Sequence, residues 1–239
     1  MNVEAKGLDY KALNEAIRAA GPSCRITGCL GQRFIGAGMS GRQVEIDGIP
    51  GNALGAYLGG GTITVNGNAQ DAVGDTMNDG SIIIHGSVGD TAGYAMRGGE
   101  IYVQGNAGYR VGIHMKAYQD KQPVIVIGGR AGSFLGEYQA GGIIIVLGLT
   151  ESSRPIVSNF PCTGMHGGKL FLRSDCRDIL FPGQVVARPA DAADLREIET
   201  YLHTFCRLFG GRCRELLHHP FTVVTPNSSD PYRQLYVTN

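Results

Sequence analysis

The sequence predicts an all-β protein, a right-handed parallel β-helix with one strand and about 19 residues per coil, flanked by an N-terminal and a C-terminal helix. The first observation is the distribution of glycine, because 32 of the 37 glycines lie between Gly28 and Gly168. The second is a series of short aliphatic runs that each end on a glycine. These closing glycines are Gly48, Gly67, Gly86, Gly105, Gly129 and Gly148. A unit this small cannot fold alone, so similar units must stack.

The spacing of the closing glycines gives the length of a coil. Successive steps are 19, 19, 19, 24 and 19 residues, and we assign the longer step to an insertion around Ala117–Gln122. In each run the residues four and two positions before the glycine are aliphatic, as at Ile63 and Val65. Alternate residues of a strand share a face, so these positions should point inward and form stacked ladders. We expect about six to eight coils in total.

A second column of glycines stands seven residues after the closing glycine. Its members are Gly55, Gly74, Gly93, Gly112 and Gly136. We interpret them as structural corners, where a positive φ or the close approach of a neighbouring coil excludes a Cβ atom.

The outward-facing residue three positions before each closing glycine changes character along the chain. This column reads Glu45, Thr64, Ile83, Tyr102, Val126 and Ile145. A solvated face has no reason to become apolar, so we expect the later coils to be covered by the chain's own tail or by a partner.

Both flanks of the repeat contain a predicted helix. We divide the chain into an N-terminal helical segment (1–23), the β-helix repeat domain (24–175) and a C-terminal helix with an extended arm (176–239). One helix should begin at an N-cap, Asp9, and stop at Gly21-Pro22. The other should span Asp191–Phe209, because its apolar residues recur every three or four positions.

The C-terminal segment also carries two expectations about contacts. The apolar stripe of its helix should pack on an end of the β-helix, where open strands otherwise invite aggregation. The arm Phe221–Asn239 contains short apolar pieces around two prolines, and we expect it to bind a neighbouring chain.

Composition excludes several classes of partner. The 21 basic and 21 acidic side chains cancel, which argues against nucleic acid. No apolar run approaches the ~20 residues that span a bilayer, and the N-terminus lacks the apolar stretch of a signal peptide. The six cysteines form no C-x-x-C pair, as expected for unlinked thiols in a reducing compartment. We therefore expect a cytoplasmic protein without membrane contact.

The residues themselves give little sign of a catalytic or metal site. No two of the six histidines share a column of the repeat, and Gly36–Gly41 has G-x-G-x-x-G spacing without a strand-to-helix context. The glycine columns also differ from the hexads of acyltransferase β-helices and from calcium-binding nonapeptides. We expect no metal, no bound cofactor and no catalysis by this chain alone.

The glycine grid, the I-x-V-x-G strands and two M-x-G-G joints resemble a known family. The joints are Met96–Gly99 and Met165–Gly168, the second within Thr163-Gly-Met-His-Gly-Gly168. Over roughly residues 24–175 the chain resembles the GXGXG domain, the β-helix at the C-terminal end of the glutamate synthase large subunit, in the form found where that enzyme is split into separate chains. The same repeat forms one of the subunits of formylmethanofuran dehydrogenase and of related formyltransferase/hydrolase complexes.

The resemblance implies a structural role. In a glutamate synthase-type complex the chain would brace a glutamine amidotransferase subunit and an FMN-binding glutamate synthase subunit and help to wall the ammonia path. FMN and the iron-sulfur cluster would belong to those partners. The alternatives are a scaffold subunit of a formylmethanofuran dehydrogenase-like complex and a free-standing binding module. As interface or channel candidates we select the least regular region, Cys162, Thr163, Met165 and His166, with an ordinary terminal coil as the alternative interpretation.

Overall fold

A single sheet of eleven strands dominates the computed structural model, which describes residues 1–150 and 152–227. Nine of these strands pair in parallel, each with the next along the chain, so they form eight coils. Their bounds are β1 (Asn2–Glu4), β2 (Ser23–Leu30), β3 (Arg42–Ile49), β4 (Gly59–Asn66), β5 (Asp79–Ile84), β6 (Glu100–Val103), β7 (Val124–Ile127), β8 (Ala140–Val146) and β9 (Gly167–Leu172). The predicted parallel β-helix is confirmed, and β1 adds a strand that the sequence pattern did not indicate.

The register of the strands reproduces the predicted period. Ile63 pairs with Ile82 and Ile82 with Ile101, a step of 19 residues each time. The insertion at 117–122 forms a small turn closed by an antiparallel bridge between Tyr118 and Lys121. A second insertion, around residues 149–154, was not predicted and lengthens the step from β8 to β9. Both insertions lie between strands, so the ladder of the sheet continues past them.

The inward ladders form one continuous apolar core. The predicted positions on β3 to β8 are buried, and Ile63, Ile82 and Ile101 are completely inaccessible to solvent. A further inward column, ten residues after the closing glycine, holds Leu58, Met77, Met96 and Met115, and beyond the second insertion Met165 takes the equivalent place. Gln139 occupies this column in one coil and is equally buried. Its Nε2 donates to the carbonyl oxygens of Gly141 (3.2 Å) and Gly142 (3.1 Å), whereas its Oε1 has no hydrogen-bond partner in the described chain.

Each coil turns through a six-residue segment that we call the arch, which lies four to nine residues after the closing position, except in the last coil, where the second insertion moves it further along the chain. The arches are residues 33–38, 52–57, 71–76, 90–95, 109–114, 133–138 and 159–164. In all seven, the second, fourth and sixth residues have φ between +49° and +70°. The predicted corner glycines are the fourth residues, with φ of +65° to +70°. Non-glycine residues at the second and sixth positions adopt the same left-handed backbone, which the sequence did not indicate.

Backbone hydrogen bonds to both neighbouring coils hold the five inner arches. In the arch 133–138 the N–H of Gly136 donates to Val111 of the preceding coil at 2.8 Å. The N–H groups of Phe134 and Tyr138 donate to Asn159 and Thr163 of the following coil at 2.9 and 2.8 Å. The N–H groups of successive left-handed residues therefore point up and down the stack in turn.

The N-terminal helix α1 (Tyr10–Ala19) follows the prediction closely. The side chain of its N-cap, Asp9, accepts from the N–H of Ala12, and its two buried residues, Leu13 and Ile17, join the β-helix core. Asn14 fixes α1 to the first arch, since its side chain donates to the carbonyl of Phe34 and accepts from the N–H of Gly36.

The C-terminal helix α2 (Ala192–Phe209) confirms the predicted helix but not its predicted place. It is followed by a short helix α3 (Cys213–Leu217), and both pack on the outer face of the later strands rather than on an end of the β-helix. Ile198, Leu202 and Phe205 of α2 are buried in a cluster with the outward residues of β6 to β9. The apolar outward column is thus covered by the chain itself, because the outward residues of these strands are apolar and gain free energy when α2 removes them from water.

Two further strands close the C-terminal end of the sheet. These are β10 (Val185–Pro189) and β11 (Thr222–Pro226). β11 pairs antiparallel with both β9 and β10, so this part of the predicted arm binds the chain itself rather than a neighbour. The rest of the arm, residues 228–239, lies outside the described residues.

The free edge of β10 is poorly suited to further pairing. Its odd-numbered residues face the open side, because the even-numbered ones face β11. The N–H of Val185 already donates to Pro182, Pro189 has no N–H, and the Pro189 carbonyl accepts from the guanidinium of Arg188. Short or proline-containing edges of this kind protect a sheet from aggregation.

The helices contained in residues 1–150 and 152–227 do not combine the length and the apolar character that a membrane crossing requires.

Replacing Gly93 by alanine should lower the free energy of unfolding by about 1–3 kcal/mol. The residue has a φ of +70°, and an added Cβ would overlap the Cδ1 atom of Ile125. Chemical denaturation measures the effect. Gly183→Ala is the matched control, because a Cβ there meets nothing within 4 Å. Equal stability of the two variants would contradict the corner assignment.

Gln139→Met should raise the free energy of unfolding by about 1 kcal/mol, because it removes an unsatisfied buried carbonyl and restores the residue used in neighbouring coils. Thermal and chemical denaturation of the two proteins would measure the gain. Gln43→Met, on the exposed side of β3, controls for the general effect of the substitution. A destabilised Gln139→Met variant would show that the two bonds to Gly141 and Gly142 outweigh the orphaned oxygen.

Candidate functional site

The four residues selected from the sequence all lie in or beside the last arch, but they do not converge on one cavity. Cys162 and Met165 are completely buried in the β-helix core. Thr163 and His166 are half-buried and make local contacts. The Thr163 hydroxyl donates to the carbonyl of Phe160 at 3.0 Å, and Nδ1 of His166 lies 3.0 Å from the carbonyl oxygen of Gly164.

Cys162 stands where the other arches have their corner glycine. It keeps the left-handed backbone, with a φ of +63°. At Gly93 and Gly112 a Cβ would meet the isoleucine of the strand two coils further on, which excludes a side chain. No such coil follows the last arch in the described chain, so the Cys162 side chain finds room. Burial raises the pKa of its thiol to about 12, so the thiol is protonated near neutral pH.

The remaining cysteines of the β-helix are also ordinary core residues. Burial raises the pKa of Cys29 to about 11 and also raises the pKa of Cys24. In the part of the chain that the structure describes, no three His, Cys, Asp or Glu side chains gather closely enough to hold a metal ion.

Exposed aromatic side chains mark the arches as a distinct surface. The outward side of the stacked arches, which we call the arch face, carries Phe34, Tyr57, Tyr94, Tyr109 and Phe160, each 40–62% exposed. Tyr10 of α1 packs edge-on against Phe34, which extends this surface at its N-terminal end. Among the described phenylalanine and tyrosine residues, only one further exposed side chain, Tyr118, lies away from the arch face, in the first insertion.

In the later arches, aromatic side chains pack on one another in two stacks along the arch face. In one, Phe134 packs against Phe160 with ring centroids 5.3 Å apart, and the guanidinium of Arg110 lies 4.8 Å above the Phe134 ring. Nε of Arg110 also donates to the buried carboxylate of Glu137 at 2.9 Å.

The second stack is built around a histidine. The His114 ring stacks almost parallel on Tyr138, with centroids 5.2 Å apart, and meets Tyr94 edge-on at 6.0 Å. These contacts order the side chains before any partner arrives, which lowers the entropy lost on binding.

The arch backbone explains why these side chains point outward. The second and sixth arch residues have outward-facing side chains, whereas the fourth, the corner glycine, faces the core ladder. Phe134 and Phe160 occupy the second position, and His114 and Tyr138 the sixth. Sequence reasoning missed this face because the same columns contain Ala53, Ala72 and Thr91 elsewhere. The available signal was the recurrence of Tyr57, His114 and Tyr138 nine residues after a closing glycine.

A second open surface lies on the outer face of the early strands, beside the half that α2 covers. Here Arg25 forms hydrogen bonds of 2.6 and 3.0 Å with Asp47, and Asn66 donates to Glu45 and Asp47. The hydrogen bond from Arg25 lowers the pKa of Asp47. A groove of about 520 Å³ runs along this face between Met1 and Thr64. This face is the polar part of the outward column, and its charged side chains form hydrogen bonds and ion pairs with one another.

Comparisons with known proteins agree on the fold. The chain is 42% identical to an uncharacterized protein of Methanocaldococcus jannaschii, over 98% of this chain and 95% of the relative. Among solved structures it is similar to a chain of the formyltransferase/hydrolase complex of Methylorubrum extorquens, crystallised with methylofuran. The two share a TM-score of 0.63 and 21% identity, over 90% of this chain and 87% of that one. At this identity the likeness shows a common fold.

The family model described as "GXGXG motif" matches residues 10–227, which include every described helix and strand except β1. The glycine columns, the parallel coils and this match agree, and the chain belongs to the GXGXG motif family.

Proposed function

We propose that this chain is a non-catalytic scaffold subunit of a multi-subunit enzyme complex and that the arch face is its principal docking surface. The observation that carries the proposal is the collection of exposed aromatic side chains on that one face. Tyrosine and arginine are over-represented among the residues that dominate binding energy at protein interfaces.

The backbone of the arches supports such a role. The five inner arches are hydrogen-bonded to the coils on both sides, and in the later arches the rings of His114 and Tyr138 and of Phe134 and Phe160 are already packed on one another. A surface held in this way needs little rearrangement on binding. A rigid stack about eight coils long can also hold partners at fixed separations, which is the task of a brace.

The solved structural neighbour favours a complex of the formyltransferase/hydrolase type. That neighbour belongs to a multi-subunit assembly, and the likeness covers nine-tenths of this chain. On this proposal the chain is the scaffold subunit of a formylmethanofuran dehydrogenase/formyltransferase-like complex, and the chemistry belongs to its partners.

A split glutamate synthase-type complex is the second candidate. The observation in its favour is the Thr163–Gly168 joint, whose sequence resembles that of the separate GXGXG chains of such enzymes. The partners would then be a glutamine amidotransferase subunit and an FMN-binding glutamate synthase subunit, which would also hold the iron-sulfur cluster. The β-helix would brace them and help to wall the ammonia path.

Purification of the tagged chain from its own host, followed by native mass spectrometry and visible spectroscopy, tests the scaffold role and separates the two candidates. A stoichiometric complex is expected. Flavin and iron-sulfur absorbance together with a glutaminase-sized chain would support a glutamate synthase-type complex. Amidohydrolase-like or molybdopterin-binding partner chains would instead support a formyltransferase-type complex. A colourless monomer would contradict the scaffold role and favour a free-standing binding module.

The double variant Tyr94→Ala, Tyr109→Ala tests the arch face itself. Both rings are exposed, so the chain should fold normally but retain at least tenfold less partner. Tyr118→Ala is the matched control, because it removes an equally exposed tyrosine outside the arch face. Circular dichroism would verify folding. Equal partner recovery from the double variant and the control would place the interface elsewhere.

A further inference from the structure

A pocket of about 360 Å³ lies at the C-terminal end of the arch face, where the chain departs from its repeat. Its walls come from the second insertion, the last arch and the loop that follows β9. The lining includes Arg130, Arg154, Ser158, Phe160, Asp178 and Leu180. Arg154 belongs to the insertion, and Asp178 and Leu180 belong to the loop, two segments that do not form coils of the stack.

Arg130 is held in place by the insertion. Its Nε donates to the carbonyl of Pro155 at 2.6 Å, and its Nη1 lies 3.3 Å from the hydroxyl of Ser152. The insertion is itself tied to the β-helix, because the Thr150 hydroxyl donates to Asn106 at 3.0 Å. The guanidinium therefore stands at the pocket in a fixed position.

The pocket combines positive charge with an exposed apolar rim. Among the residues that the structure describes, the charged ones lining it are Arg130, Arg154 and Asp178, two cations and one anion. At its mouth Phe160 is 62% exposed and Leu180 is 89% exposed. Phe160 and Leu180 line the same pocket, and exposed apolar side chains that are grouped, rather than scattered singly, are typical of a surface that a partner covers.

We propose that this pocket binds a segment of a partner subunit in which a carboxylate side chain stands next to an apolar one. The carboxylate would bind Arg154 and Arg130, since guanidinium groups match carboxylate geometry. The apolar side chain would cover Phe160 and Leu180. A free small carboxylate lacks the second element, so a polypeptide is the occupant that uses the whole pocket. The inference deepens the proposed scaffold function by naming the chemistry of one partner contact.

The charge requirement can be tested on the full chain without any partner. The probe is the blocked dipeptide acetyl-Glu-Leu-amide at millimolar concentration, with acetyl-Gln-Leu-amide as its neutral match. Arginine side-chain signals in ¹H–¹⁵N NMR spectra report binding. We expect saturable shifts with the Glu peptide, at least fivefold weaker binding of the Gln peptide, and loss of the difference in Arg154→Glu. Equal binding of the two peptides, or no binding of either, would overturn the inference.

The same substitutions can then be made in the complex purified from the host. Arg154→Glu and Leu180→Ser should each weaken partner association about tenfold or more. Arg212→Glu is the matched control, because Arg212 is an exposed arginine beside α3, away from the pocket lining. Loss of association in Tyr94→Ala, Tyr109→Ala but not in the pocket variants would refute this contact and leave the scaffold role intact. The reverse pattern would support the pocket and refute the arch face as the principal surface.

Discussion

The structure depends on one requirement, that every coil must satisfy its backbone hydrogen bonds with the coils before and after it. In the strands the parallel ladder does this, with Ile63, Ile82 and Ile101 in register. Outside the strands, the arches satisfy these hydrogen bonds through their left-handed residues. The N–H groups of these residues point up and down the stack in turn. A buried amide without a partner is costly, so this geometry must recur in each coil. The period of about 19 residues follows from that recurrence.

The same requirement explains which positions need glycine. All three left-handed positions of an arch carry a conformational cost for ordinary residues. Only at the fourth does the Cβ also point into the core, where at Gly93 it would overlap Ile125. At the second and sixth positions the side chain faces outward, and N–H hydrogen bonds to the following coil stabilise backbones such as those of Phe134 and Tyr138. Glycine is therefore selected by the core, and the outer arch positions remain free to vary.

This division sets the limit of what the sequence could predict. Strands, period and corner glycines are repeated features, so spacing alone identified them, and the apolar outward column correctly indicated a cover. The position of α2 could not be predicted, because an apolar stripe does not indicate whether the helix packs on an end of the β-helix or on its outer face. β1, β10 and β11 are three to five residues long and lie outside the repeat. The left-handed backbone of Phe134 and Tyr138 could not be predicted from their residue types. The pocket could not be predicted either, because an insertion that breaks the alignment of the coils forms part of it.

The positions left free by the stacking requirement are the places where a β-helix can acquire a specific surface. The outer face of the later strands is used to bind α2, and Arg25, Glu45, Asp47 and Asn66 pair with one another on the early strands. The edge of β10 is largely closed by its own prolines and arginine. The arch face differs from these surfaces, because groups such as Tyr94, Phe160 and Arg110 are held by their neighbours yet remain exposed. Ordered and exposed groups lose little entropy when a partner covers them, whereas the polar strand face would first have to break its own ion pairs. The arches therefore offer most of the available binding energy, and a partner that recognises this chain should bind on that side.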